Sequence, residues 1–542
     1  MVGTSLAAAL AAAGMGSSRQ SVTGQQRAAL CGMGVCHECA VDVDGQRRLA
    51  CQTLVRHGMQ VRTDAADSMV AIAATGVPFN AARQHATPAT PYGSIPSAAS
   101  ARPTPLHCDL LIVGAGPAGL AAAAAAAPSG VEIVVIDDNP APGGQVWRRS
   151  HAAPATALLR ERLNKLSAHA NVRLLSGARV AAVAAAAGAE GEQSLLLDDG
   201  RDGLVIHARR TLLCTGAREL FLPFPGWTLP GVTGAGGLQA LVKGGLSVRG
   251  QRVLVAGSGP LLLATAATLR QAGATLLGVA EQASWRAMAG FMAQLPRWPN
   301  KLWQAARLAE PRWRANQWVL RALGTHQLQA VELQAGARRV VIECDRLACG
   351  FGLVPNTELG QLLGCALGAN GGLAVDAQQA TSVAGCFAAG ECTGIGGSER
   401  AAVQGALAGA AAVVSLDTPN TLTTRTKIKS PQTRALRRWQ AFADALHTHF
   451  RLNPALLRLA QADTLVCRCE DVPMSALQTH EGWVSAKLAT RCGMGPCQGR
   501  ICGAAAQAML GWALPPPRHL LNPVRIGLLA GASSEQAAAP KS

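Results

Sequence analysis

Short apolar runs ending in glycine recur along the chain, and the clearest lies at 109–148. An apolar run, Leu110–Val113, ends in Gly114-Ala-Gly116-Pro-Ala-Gly119; an alanine-rich stretch follows, and a second apolar run, Val131–Ile136, closes on Asp137. The pattern predicts strand, glycine turn, helix and strand. It repeats at 252–282, where RVLVAG meets Gly257-Ser-Gly259 and a further apolar run ends near Glu281. Near the N-terminus, AVDVDG and QRRLAC alternate around Asp44-Gly45, the pattern of a β-hairpin. Helices are expected over Ser5–Ala13 and Thr433–Phe450. Residues 76–106, rich in Pro, Ser, Thr and Ala, have no apolar period and read as a semi-extended linker.

Composition narrows the class. The 542 residues suffice for three or four domains. The net charge is +17, but the arginines are spread along the chain and no nucleic-acid motif is present, so nucleic acid is not an expected partner. No credible run of about 18 apolar residues suggests a membrane span. LAAALAAAG lacks a basic flank and is not read as a secretion signal. Of 16 cysteines, nine fall in two tight groups, at 31–51 and 467–502, an arrangement of metal ligands in a reducing compartment rather than disulfides. The others are expected to be small core residues.

The glycine turn has a physical reading. Gly114 permits the tight turn, Gly116 lets a pyrophosphate approach the backbone, and Gly119 lets helix and strand pack closely. Pro117 and Ala118 open the helix whose free N–H groups face the phosphates. Asp137, 23 positions past Gly114, can accept hydrogen bonds from a ribose. Gly144-Gln145, Thr215-Gly216 and Gly390-Glu391 stand where the chain must again approach a dinucleotide. The second turn keeps Gly257 and Gly259 but has Leu262 at its third position. Leucine there pushes the helix off the strand or crowds a nicotinamide dinucleotide, so this turn reads as a structural remnant or a site for another adenine nucleotide. Trp285, Trp298, Trp303, Trp313 and Trp318 lie among basic residues. They suggest an amphipathic helical insert with inward tryptophans, a docking face, or a membrane-surface helix.

Cys31-x4-Cys36-x2-Cys39-x11-Cys51 has the spacing of plant-type ferredoxins, three thiolates on a glycine-rich loop and a fourth after the hairpin, with zinc as the alternative. The C-terminal group offers Cys467, Cys469, Cys492, Cys497 and Cys502. Its CxC followed by further cysteines resembles a small helical [2Fe–2S] domain, which favours 467, 469, 497 and 502, with Cys492 the alternate.

Taken together, CGMGVCHEC, VGAGPAGL, PGGQ, CTGAREL, FPGWTLPGV, GSGPLLLA, FGLVPNTEL, AAGECTGIGG, CRCEDV and CGMGPCQGRIC resemble the FAD/iron–sulfur subunits of bacterial amino-acid and opine dehydrogenases. The resemblance implies an α/β flavoprotein with two Rossmann-like dinucleotide-binding domains. An N-terminal β-grasp ferredoxin-like module, starting almost at its first helix, and a C-terminal [2Fe–2S] domain flank them. The expected boundaries are 1–75 for the ferredoxin-like module, 107–245 and 346–415 for the FAD domain, and 246–345 for the second nucleotide domain. Residues 416–455 are linker and helix, 456–530 the C-terminal cluster domain, and 531–542 a tail. FAD enzymes of this type usually carry aspartate where Glu391 stands. The resemblance further implies FAD, two [2Fe–2S] clusters, a D-amino-acid-oxidase-like flavoprotein partner, and a quinone or respiratory acceptor. The expected location is cytoplasmic, with or without peripheral contact at the inner membrane. Two other readings remain: an NAD(P)H-dependent ferredoxin or disulfide reductase, and a non-catalytic iron–sulfur scaffold or sensor.

Overall fold

A computed structural model describes residues 2–64, 69–71, 104–149, 154–184, 191–200, 203–416 and 431–530. Most of the expected linker at 76–106, most of 416–432 and the tail lie outside the described residues.

The apolar run before Gly114 becomes the strand Thr104–Val113, flanked in parallel by Ile133–Asp137 and Leu204–Leu213. Val172–Ser176 and Cys386–Ala388 extend this sheet in parallel, and the antiparallel strands Gln193–Asp198 and Arg179–Ala184 complete it. Residues buried on both faces explain why its central strands read as continuous apolar runs. Two helices rich in alanine and glycine, Pro117–Ala126 and Gly397–Val414, pack against each other.

The second sheet is all parallel, in the order Val232–Gly234, Arg346–Gly350, Arg252–Gly257, Thr275–Glu281 and Trp313–Arg314. The second nucleotide domain therefore takes in chain on both sides of the expected 246–345. Val232–Gly234 is too short a strand to stand out from the turn-rich FPGWTLPGV, and Arg346–Gly350 follows it into the sheet as a neighbour. A three-stranded antiparallel meander spans Gln317–Leu323, Ala330–Ala335 and Arg338–Glu343.

The tryptophan-rich segment is not one inward-packed helix. It forms the helices Trp285–Gln294 and Pro299–Arg307 and then enters the second sheet through Trp313 and the meander through Trp318. Trp298 is buried edge-on to Phe442, whereas Trp285 and Trp303 are exposed. The helix expected over Thr433–Phe450 spans Pro431–His449. The N-terminal module carries the helix Leu6–Ala12, capped by Ser5, and an antiparallel sheet in the order Gln46–Leu49, Ala40–Val43, Gln60–Arg62, Met69–Ala71. No helix among the described residues is long and apolar enough to cross a membrane.

Candidate cofactor sites

At the first turn, the helix Pro117–Ala126 begins at Gly116 with no side-chain cap, so its leading amides are free for an anion. Gly119 presses on the carbonyl of Gly114, where a Cβ would collide, while a Cβ on Gly116 would meet only the Cα of Gly144, at 4.0 Å. Gly119 is thus a packing glycine, and Gly116 opens on the space in front of the turn. One cavity fills that space. It is lined by Gly114, Gly116, Pro117, Ala118, Asp137, Gly144, Gln145, Thr215, Gly216, Gly390 and Glu391, so every residue the sequence singles out for this site reaches it except Gly119.

Asp137 accepts hydrogen bonds from the amides of Ala115 at 2.6 Å and Asn139 at 2.8 Å. Burial, with Asp138 beside it, pushes its carboxyl up to about 6, against the pull of those amides. Thr215 donates its hydroxyl to the carbonyl of Asn356 at 2.6 Å, and the Asn356 side-chain amide donates back to the carbonyl of Thr215 at 2.9 Å. Burial also raises Glu391. Free helix amides, a strand-end carboxyl and glycine-lined walls suit FAD.

The far wall comes from outside the flavoprotein motifs. Met33, Gly34 and Val35, inside the first cysteine loop, line the cavity, as do Arg500, between Cys497 and Cys502, and Leu521 and Asn522. Arg148 donates to the carbonyl of Cys51 at 2.7 Å, and Arg179 donates to Gln52. Both cysteine loops therefore border the same cavity. These residues lie inside the cysteine motifs, so the sequence signal is present, but nothing in it says which way a loop faces.

The sulfurs of the first group pair as Cys31 with Cys36 and Cys39 with Cys51. Cys31 Sγ accepts from the amides of Met33 and Cys36, each at 3.4 Å, Cys36 Sγ from Glu38 at 3.5 Å, and Cys39 Sγ from Cys51 at 3.4 Å. Amides aimed at buried sulfurs stabilise thiolates, as iron–sulfur ligation requires. In the C-terminal group the sulfurs of Cys467, Cys492 and Cys502 lie within 4.8 Å of one another, and Cys469 is 3.6 Å from Cys497. Cys467 also touches Cys469, so all five sulfurs form one buried knot and Cys492, the alternate by spacing, is inside it.

The second glycine turn is covered by the chain itself. The ring of Phe450 stands over Gly259, and the carbonyl of Phe450 accepts from Ser258 Oγ at 3.2 Å. Gln282 donates to the carbonyl of Arg451 at 3.0 Å and accepts from the amide of Asn453 at 2.8 Å. Leu262 is fully buried and packs over Gly350, so the strand beside it makes room for the missing glycine. Glu281, not singled out by the sequence, accepts from the amides of Gly259 at 2.7 Å and Ala283 at 2.9 Å, as Asp137 does at the first turn. Burial pushes it up to about 7.

Residues 108–410 match the family described as pyridine nucleotide-disulphide oxidoreductase. The chain belongs to this family. Residues 1–66 match a 2Fe-2S iron-sulfur cluster binding domain, fused ahead of the pyridine nucleotide-disulphide oxidoreductase region. An opine oxidase subunit of Agrobacterium tumefaciens is 32% identical over 437 residues, covering 74% of this chain and 85% of that protein. Hydrogen cyanide synthase subunit HcnB of Pseudomonas aeruginosa is 31% identical over 462 residues, covering 76% and 96%. In fold, the chain is similar to L-proline dehydrogenase from P. horikoshii, with a TM-score of 0.66 at 17% identity over 97% of this chain and 94% of that one. The chain is an FAD-dependent oxidoreductase with a 2Fe-2S domain, of the kind to which these subunits belong.

Proposed function

We propose that the chain is the electron-relay subunit of a multi-subunit dehydrogenase that oxidises the C–N bond of an amino acid, imino acid or opine. FAD supplies an acceptor that exchanges electrons singly or in pairs, which suits it to join a two-electron oxidation to one-electron iron–sulfur centres. The observation that carries the reading is the shared cavity: the loops of both cysteine groups form walls of the dinucleotide pocket. Gly114, Gly116, Pro117, Ala118 and the amides of their helix would hold the pyrophosphate, and Asp137 the ribose. Gly144, Gln145, Thr215, Gly216, Gly390 and Glu391 would border the rest of FAD. Cys31, Cys36, Cys39 and Cys51 would hold one [2Fe–2S] cluster, and the C-terminal knot a second, through Cys467, Cys469 and two of Cys492, Cys497 and Cys502.

The relatives' names, opine oxidase and hydrogen cyanide synthase subunits, favour a complex of several subunits; in this reading the partner is a D-amino-acid-oxidase-like flavoprotein that carries out the substrate oxidation, and a quinone or respiratory carrier is the acceptor. The second turn serves in this reading as a remnant, its polar groups satisfied by Phe450, Arg451 and Asn453. The test is dye reduction by amino-acid and opine substrates, with the chain alone and co-expressed with such a partner. Turnover is expected only with the partner; turnover by the chain alone, or reduction driven by NADH, would refute the assignment.

A further inference from the structure

The two cysteine sites touch through residues that stand inside their motifs. Glu38 lies between Cys36 and Cys39, and Arg468 lies between Cys467 and Cys469. Arg468 Nε is 3.2 Å from Glu38 Oε1, with side chains 4% and 1% exposed. Arg19 adds a second guanidinium to the same oxygen at 3.3 Å and donates to the carbonyl of Arg468 at 3.2 Å. Arg468 is held on its other side by the carbonyl of Trp227, at 2.9 Å, and its guanidinium lies 5.0 Å from the Trp227 ring centre. A second buried pair, Arg27–Asp471 at 2.5 Å, joins the same two modules two residues past Cys469. Buried ion pairs add little net stability over apolar packing, but they enforce one arrangement, because either partner left alone is a buried charge. A charge in this dry environment acts strongly on any neighbouring group that changes its own charge.

We propose that the Glu38–Arg468 pair sets the two cysteine sites in fixed register and links their reduction potentials electrostatically. The inference rests on the reading that both sites carry clusters. One electron gained by either site adds one negative charge beside the pair; no bond forms and no proton moves. Glu38→Gln removes a negative charge next to the N-terminal site and leaves Arg468 uncompensated beside the C-terminal one, so both potentials rise. Arg468→Gln lowers both. The expected effect is about tenfold in the reduced-to-oxidised ratio at the nearer site, about 59 mV for one electron, and less at the farther site.

The experiment is a redox titration of the holoprotein and its variants, followed by EPR. Opposite shifts in the two variants, felt at both sites, support the proposal. Loosened packing alone would move the sites in the same direction in both variants, and that result overturns it, as does a shift confined to the site next to the substituted residue. Arg468→Lys, which keeps the charge, and the Glu38→Gln/Arg468→Gln variant, in which only the Arg19 guanidinium, 11% exposed, loses its carboxylate, serve if a single variant fails to fold. Wild-type potentials in the lysine variant, and shifts in the double variant smaller than in either single one, are then expected; failure of both patterns overturns the proposal. A wild-type protein showing only one cluster signal would overturn the underlying reading itself, a result distinct from two signals that ignore the pair.

Discussion

A methyl group added at Gly119 would strike the carbonyl of Gly114, whereas one added at Gly116 would enter the cavity with only Gly144 Cα at 4.0 Å. Gly119→Ala should therefore cost about 1–3 kcal/mol of stability through overpacking, read as a lowered denaturation midpoint of the apoprotein. Gly116→Ala should leave that midpoint near the wild type and weaken FAD binding by about tenfold, a loss of ~1.4 kcal/mol, read by flavin titration. Equal destabilisation by both would mean that Gly116 does not face the ligand. Glu281 makes a separate prediction. Its folded pKa, about 7, lies above the ordinary carboxyl value because burial disfavours the charge. The folded state thus holds this proton more tightly than the unfolded chain does. The stabilisation is full below the unfolded pKa and is lost as pH rises through 7, in all by about 3 kcal/mol at 1.36 kcal/mol per unit. Urea denaturation across that window should show a flatter pH dependence in Glu281→Gln; an unchanged slope would assign the proton elsewhere.

At the scale of elements, the first turn is legible in the sequence because its whole signal is local: strand, glycines, helix and Asp137 lie within one short stretch. The cysteine groups are legible for the same reason. What escapes the sequence depends on contacts between distant segments. Phe450 reaches Gly259 from almost two hundred positions downstream, Arg468 meets Glu38 across more than four hundred, and the strand Val232–Gly234 belongs to a sheet whose other members follow it. Leu262 marks the second turn as unlike the first, but its accommodation by Gly350 cannot be read from spacing. Spacing also makes Cys492 the alternate, although its sulfur lies in the knot with Cys467 and Cys502. Within that knot Cys467 touches Cys469, Cys492 and Cys502. Cys467→Ala should therefore abolish the C-terminal iron–sulfur EPR signal and spare the N-terminal one, whereas retention of both signals would remove Cys467 from the ligand set.

For the whole molecule, the arrangement that matters is convergence. The family region supplies one dinucleotide pocket, and the cysteine loops from the two ends of the described chain close it and meet each other through buried charges. The second nucleotide domain contributes a covered turn and the fold around it. The central claim, one flavin between two iron–sulfur centres with no working nicotinamide site, is tested most directly by anaerobic reduction of the purified holoprotein with dithionite and, separately, with NADH, followed by absorbance and EPR. Dithionite should bleach one FAD and develop two distinct [2Fe–2S] signals, and NADH should leave both spectra almost unchanged. Rapid bleaching by NADH, or a single cluster signal from a fully loaded protein, would contradict the account.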